Sequence, residues 1–169
     1  MDRLTVQVAP REALFWLEIW GDCAAVETRL KAPLPAPCRA TTHGDVRLIW
    51  WQPGVWLARL RLADQAVGLA RLGAALADDG AVSDISGAFT RITVSGRAWR
   101  DLLMIGGVFD AEAPSFGPGS VAGTVIHHLP VHLDVIGETQ LEAYIAPSYV
   151  ADLLERWTTV AGRIAAAPS

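Results

Sequence analysis

The chain has 169 residues, of which 51% are hydrophobic and 19% charged, and its net charge at pH 7 is −4. This length predicts one domain, or two small halves around one core. The acidic balance and the scattered arginines exclude nucleic acid as an expected partner. No apolar run is long enough to cross a bilayer, and the first residues lack a signal peptide pattern, so we expect a cytoplasmic protein without a membrane partner.

The first half of the chain predicts an alternation of strands and helices. Leu14 to Trp20 is rich in apolar and aromatic residues and predicts a strand, and three prolines between 31 and 42 predict a connector. Pro53 and Gly54 predict a tight turn. The expected strands cover 14–20, 46–51, 55–62 and 82–86, and the expected helices cover 23–30 and 64–77.

The second half repeats this order. We expect strands at 89–95, 121–128, 131–137 and 139–146, with a hairpin turn about Pro130, and helices at 97–105 and from Ser148 onward. Shifting the chain against itself so that Gly21 meets Gly96 aligns the two patterns. The sequence therefore predicts an α+β fold of two ferredoxin-like βαββα halves, about 10–87 and 88–165. Each half has an antiparallel sheet with helices packed on one side.

Tryptophan is over-represented, with seven residues against four phenylalanines and two tyrosines. So many large amphipathic rings are typical of interface anchors, although the alternative is that they fill the core. Our candidates for an interface are Trp50, Trp51 and Trp99.

No constellation of catalytic residues is visible in the sequence. The four histidines match no metal-ligand spacing, and both the phosphate-binding loop and the nucleophile elbow are missing. We therefore predict no catalytic residue and no metal site. Asp84 lies in the middle of an expected strand, between Val82 and Ile85, and it is either a strand-end carboxylate bonded to backbone or a pocket residue.

Several stretches resemble, in the same order, segments of the sarcosine oxidase gamma subunit family. The stretches and the family patterns are LPAP at 34–37 with LPLP, QPGVWL at 52–57 with GPDEWL, VSDIS at 82–86 with V-x-D-[VI]-S, ITVSGRA at 92–98 with L-x-[LI]-S-G-P-x-A, FGPG at 116–119 with F-x-x-G, and SYVADLLERW at 148–157 with S-[YF]-A-x-Y-L-W-x-W. The chain departs from the family at Gly107-Val108, where the usual pair is Cys-Pro, and at Pro147, where the usual residue is Arg.

The resemblance implies a single domain over 1–169 with the folate-binding aminomethyltransferase fold, similar to the T-protein of the glycine cleavage system. It also implies the role of a non-catalytic gamma subunit in a heterotetramer that demethylates sarcosine and transfers the one-carbon unit to tetrahydrofolate. Flavin and NAD are then expected on partner subunits, and the alpha subunit is the expected neighbour.

A different class of function is a stand-alone protein that binds tetrahydrofolate or another small ligand. It predicts an enclosed pocket with aromatic walls and a few polar groups. Trp56, Asp84 and Tyr149 are the residues expected near such a pocket. An isolated chain with an exposed partner surface is also a candidate for homodimer formation.

Overall fold

The computed structural model describes residues 4–107 and 110–166. Within these residues the backbone forms ten strands and four α-helices. In chain order the elements are β1 Thr5–Val8, β2 Glu12–Ile19, α1 Cys23–Leu30, β3 Ala40–His43, β4 Val46–Gln52, β5 Val55–Arg61, α2 Gln65–Leu76, β6 Gly80–Asp84, β7 Thr90–Ser95, α3 Trp99–Met104, β8 Val121–Ile126, β9 Leu129–Gly137, β10 Gln140–Ile145 and α4 Val150–Ala166.

The first unit is the continuous segment Arg11–Gly87. Its five strands form an antiparallel sheet in the order β3-β4-β5-β2-β6. Side chains alternate between the faces of a strand, and Phe15 and Leu17 on β2 face the helices, where they pack with Val26 of α1 and Leu72 of α2. Burial of this apolar face is the main stabilising contribution to the unit.

The second unit contains residues 4–10 together with the described residues from 88 onward. Its sheet is also antiparallel and has the order β1-β7-β10-β9-β8. Trp99 on α3 and Leu153 and Trp157 on α4 are fully buried against the sheet, together with Ile92 and Leu141. The longest helix, α4, thus contributes an apolar stripe at helical spacing.

The opposite face of the second sheet carries buried polar side chains. Arg91 and Glu142 form an ion pair with an N–O distance of 2.7 Å, and each side chain is only 7% exposed. Arg91 also donates a hydrogen bond of 3.0 Å to the carbonyl oxygen of Pro10. Asp134 and His132 on β9 are buried on the same face. The two faces of this sheet therefore differ sharply in polarity.

The two units share one order of elements, which confirms the predicted α+β class and the ferredoxin-like halves. In each unit a strand and a helix are followed by a three-stranded meander and a second helix, and a fifth strand lies at the sheet edge. The fifth strand is β6 in the first unit and β1 in the second. The βαββα description was therefore incomplete, because it lacked this edge strand in the second unit and β3 in the first.

Two local predictions were wrong. The segment 31–42 was expected to be a connector, yet its last residues begin β3, which pairs with β4. The hairpin between β8 and β9 turns at His127 and His128, with φ angles of +48° and +68°, and not at Pro130. Pro130 instead lies within β9 opposite Val125, outside the stretch of β9 that pairs with β10. A proline without an N–H is tolerated there because only one neighbouring strand is present.

In the part of the chain that the structure describes, no helix has both the length and the apolar character that crossing a bilayer requires.

Candidate functional site

Trp20 is the most exposed tryptophan of the chain, with 67% of its surface accessible. It follows β2, and its backbone N–H donates a hydrogen bond of 3.0 Å to the carbonyl oxygen of Asp79. Alternation along β2 places Trp16 and Trp20 on the sheet face opposite α1 and α2. The ring of Trp16 lies 5.3 Å from the ring of Trp51, centroid to centroid. We call Trp16, Trp20 and Trp51 the tryptophan surface.

The other tryptophans proposed as interface residues lie elsewhere. Trp50 is half-buried and packs against the helix-side core of the first unit. Trp99 has no accessible surface, its indole N–H donates a 3.0 Å hydrogen bond to the carbonyl oxygen of Glu138, and its ring contacts Phe116. A side chain without accessible surface cannot anchor a partner unless the unit opens, so the structure assigns Trp99 to the core.

Trp56 is enclosed in the first unit. It is 9% exposed, it faces the helices, and its indole N–H donates a hydrogen bond of 2.9 Å to the carbonyl oxygen of Pro35. This bond satisfies the only polar atom of the ring, and it ties the proline-rich connector to β5. The ring thereby serves as a packing element under the connector.

Asp84 is exposed at the end of β6. Its carboxylate accepts hydrogen bonds from the Ser86 hydroxyl at 2.6 Å, the Ser86 N–H at 3.0 Å and the Gln65 amide at 2.5 Å. These bonds, the hydroxyl first, hold the pKa of Asp84 below its ordinary value. The geometry is that of a strand-end carboxylate bonded to nearby backbone and side chains.

The three residues expected at a ligand pocket are not gathered in one unit. Trp56 and Asp84 belong to the first unit, where β2 lies between their strands. Tyr149 belongs to the second unit, precedes α4 and is 42% exposed. The proposal that these residues bind a ligand therefore gains no support from the arrangement within either unit.

Asp79 also has a structural role. Its carboxylate accepts a 3.0 Å hydrogen bond from the N–H of Asp22 and forms a 2.5 Å ion pair with Arg29. These contacts lower the pKa of Asp79, and the hydrogen bond from the Asp22 backbone is the larger cause. Arg29 also donates to the carbonyl oxygens of Ala75 and Leu76 at the end of α2. The cluster therefore connects α1 with the C-terminus of α2.

Residues 4–107 and 110–166 contain no group of three or more histidine, cysteine, aspartate or glutamate side chains arranged to hold a metal ion. Cys23 and Cys38 are both exposed free thiols.

Residues 20–163 match the protein family described as sarcosine oxidase, gamma subunit family. The chain belongs to this family. The match includes Trp20 and Trp51 of the tryptophan surface, as well as most elements of both units. No curated protein sequence matches this gamma subunit family member significantly.

Solved structures agree on the fold of this family member. The heterotetrameric sarcosine oxidase from Corynebacterium sp. U-96, in complex with pyrrole 2-carboxylate, matches with a TM-score of 0.87 and 20% identity over 100% of this chain and 89% of that chain. Aminomethyltransferase T of the glycine cleavage system from Bartonella henselae matches with a TM-score of 0.71 and 11% identity, over 92% of this chain and 45% of that chain. The expected aminomethyltransferase-like fold is thus confirmed, and the chain spans about half the length of that transferase.

A more distant similarity is to the ligand-free regulatory subunit of aspartate kinase from Thermus thermophilus. Its TM-score is 0.50 and its identity 12%, over 91% of this chain and 94% of that chain. At this identity the similarity concerns the fold alone.

Sequence reasoning did not select Trp20 as an interface residue, although a signal for it was present. Phe15, Leu17 and Ile19 mark one face of β2 as buried, so that Trp20 falls on the other face by alternation. Its exposure follows from that pattern once β2 is known to lie inside a sheet with helices on one side only.

Proposed function

We propose that this chain is the non-catalytic gamma subunit of a heterotetrameric sarcosine oxidase and packs against the large alpha subunit. The observation that carries the proposal is the family match over residues 20–163. In this proposal flavin and NAD belong to the larger subunits, tetrahydrofolate accepts the one-carbon unit there, and the complex is cytoplasmic. The chain supplies a folded surface, and none of its own residues takes part in the demethylation.

We further propose that Trp20 is a main contact of the tryptophan surface with that partner. Two-thirds of the residue's surface is accessible. An aromatic side chain buries about 200 Å² when fully enclosed, so a partner that covers Trp20 removes roughly 130 Å² from water. Truncation of a tryptophan that anchors an interface costs about 2–4 kcal/mol, which corresponds to about a 30- to 1,000-fold change in Kd.

The test is co-purification of the tagged chain with its partners from its native cells. The measurements are the flavin absorbance of the purified material and its sarcosine-dependent production of hydrogen peroxide. We expect a yellow complex that produces peroxide, with Trp20→Ala retaining much less flavoprotein than the unmodified chain. Val67→Ala is a matched control, because Val67 is 72% exposed on α2 and lies outside the tryptophan surface.

Two results would contradict different parts of this proposal. A colourless chain without partners would remove the subunit role, and titration with tetrahydrofolate would then test the ligand-binding class. If Trp20→Ala and Val67→Ala leave the yellow complex equally intact, the subunit role stands. The contact with the partner then lies on another surface.

A further inference from the structure

A cleft of about 820 Å³ opens in the first unit between the end of α1, the hairpin of β3 and β4, and the side of α2. Its volume lies within the range of small-molecule sites, about 300–1,000 Å³. Much of its wall is apolar and consists of Leu30 and Ala32 around the end of α1, Val46 and Leu48 on β4, and Leu72 on α2. None of the residues expected from the sequence to bind a ligand lines it.

The rim of the cleft is mainly basic. Lys31, Arg29 and Arg71 line it together with one carboxylate, that of Asp45. Arg29 is committed to Asp79 and the end of α2, and Arg71 lies 3.5 Å from Asp45, with both side chains about half exposed. Lys31 is exposed and has no hydrogen-bond or ion-pair partner for its ammonium group among the described residues. The excess of positive charge favours an anionic group at the rim.

The edge strand β3 adds polar atoms that lack partners. His43 lines the cleft, and its Nε2 atom is enclosed without a hydrogen bond. The hydroxyl of Thr41 also lacks a hydrogen-bond partner and by alternation lies on the same strand face as His43, but Thr41 does not line the cleft. Enclosed polar atoms without partners are uncommon and destabilising, so they favour a ligand that brings a hydrogen-bonding group.

We propose that this cleft binds a small organic anion with an apolar body. The carboxylate or phosphate of the ligand lies between Lys31 and Arg71, and the apolar body lies along Leu48 and Leu72. A second polar group on a ligand would lie beside His43, which lines the cleft. Binding then requires both a negative charge and an apolar body. A neutral apolar molecule lacks the charge, and an inorganic anion lacks the apolar body.

The experiment is an NMR titration of the full chain, with 2-naphthoate as the probe and the neutral 2-naphthalenemethanol as its counterpart. We expect 2-naphthoate to shift backbone amides within 29–32, 43–48 and 71–75, and to bind more tightly than the alcohol. Each of Lys31→Gln and Arg71→Gln should weaken 2-naphthoate about threefold, as expected for a solvent-exposed charge pair. Arg97→Gln, an exposed position in the second unit, should have no effect.

A pair of alanines on α2 provides a steric control. Ala74 is exposed and lines the cleft, whereas Ala70 is exposed on the same helix outside it. Ala74→Phe should abolish the shifts and Ala70→Phe should preserve them, with thermal unfolding confirming that both variants fold. Shifts that are absent, that lie outside these segments, that survive Ala74→Phe, or that appear equally with the alcohol would overturn the proposal.

Discussion

Replacement of Glu142 by alanine should destabilise the second unit strongly. The carboxylate is half of an ion pair of 2.7 Å in which both side chains are only 7% exposed. Removal of one partner of a buried pair leaves the other charge with little water, at a cost of about 3–5 kcal/mol. For a chain of this length, a loss of 1 kcal/mol lowers Tm by about 2–4 °C, so we expect a decrease of about 6–20 °C.

The assays are thermal unfolding, which gives Tm, and guanidinium unfolding, which gives the free energy, both followed by tryptophan fluorescence, since Trp99 and Trp157 are buried in the core of the second unit. The matched control is Asp152→Ala, which removes an ion pair of 2.9 Å with Arg156 on α4 whose side chains are about half exposed. Exposed pairs at this helical spacing contribute about 0.3–0.5 kcal/mol, so the control should be close to neutral.

The double variant Arg91→Met with Glu142→Leu removes both charges of the ion pair. It therefore distinguishes the loss of the pair from the cost of leaving one charge buried alone. Replacing both charges by apolar side chains of similar volume should recover part of the loss, because Arg91 is then no longer buried without Glu142. A loss below about 1 kcal/mol for Glu142→Ala, similar to that of Asp152→Ala, would refute the reasoning from burial.

Three smaller changes test local geometry. His128→Gly should stabilise the chain by about 1 kcal/mol in urea unfolding, because glycine adopts the φ of +68° without steric cost. Gly54→Ala should destabilise it by about 1–2 kcal/mol in the same assay, since φ is +76° and an added Cβ lies 3.3 Å from the Ile19 carbonyl oxygen. Asp84→Asn should make the fall in stability below about pH 4 shallower in acid titrations. Because the pKa of Asp84 is lowered in the folded chain, its ionised form adds stability above its ordinary pKa. This contribution is lost as the pH falls through the lowered value. An unchanged slope of stability against pH in Asp84→Asn would contradict the hydrogen bonds of Asp84.

The elements that could be predicted from the sequence are those that form long, half-buried segments. The expected helix at 23–30 coincides with α1, and β4, β5 and β7 were placed within one or two residues. The two short edge strands, β1 and β3, were missed. An edge strand pairs on one side only and needs few apolar residues, so its composition resembles that of a loop.

The hairpin turn was misplaced for a different reason. Two-residue turns with positive φ favour Asn and Gly, whereas here two histidines adopt that conformation. Pro130 carried the stronger turn signal, but tertiary pairing with β8 placed it inside β9.

Individual side chains were harder to place than elements. Helical spacing places Trp99 on the same face of α3 as Leu102 and Leu103. The burial of Trp99 could therefore be predicted from the sequence once α3 was assigned. The cleft could not be predicted from the sequence, because its walls come from α1, β4 and α2. In addition, its edge strand β3 was interpreted as a connector.

The pairing of β1 with β7 has a consequence for synthesis on the ribosome. Thr5 pairs with Ser95, and the whole of the first unit lies between the two strands in the chain. The first unit can therefore complete its sheet while the chain is still growing, whereas β1 has left the ribosome but must wait for β7. During that interval the backbone groups of β1 are open to pairing with another nascent chain.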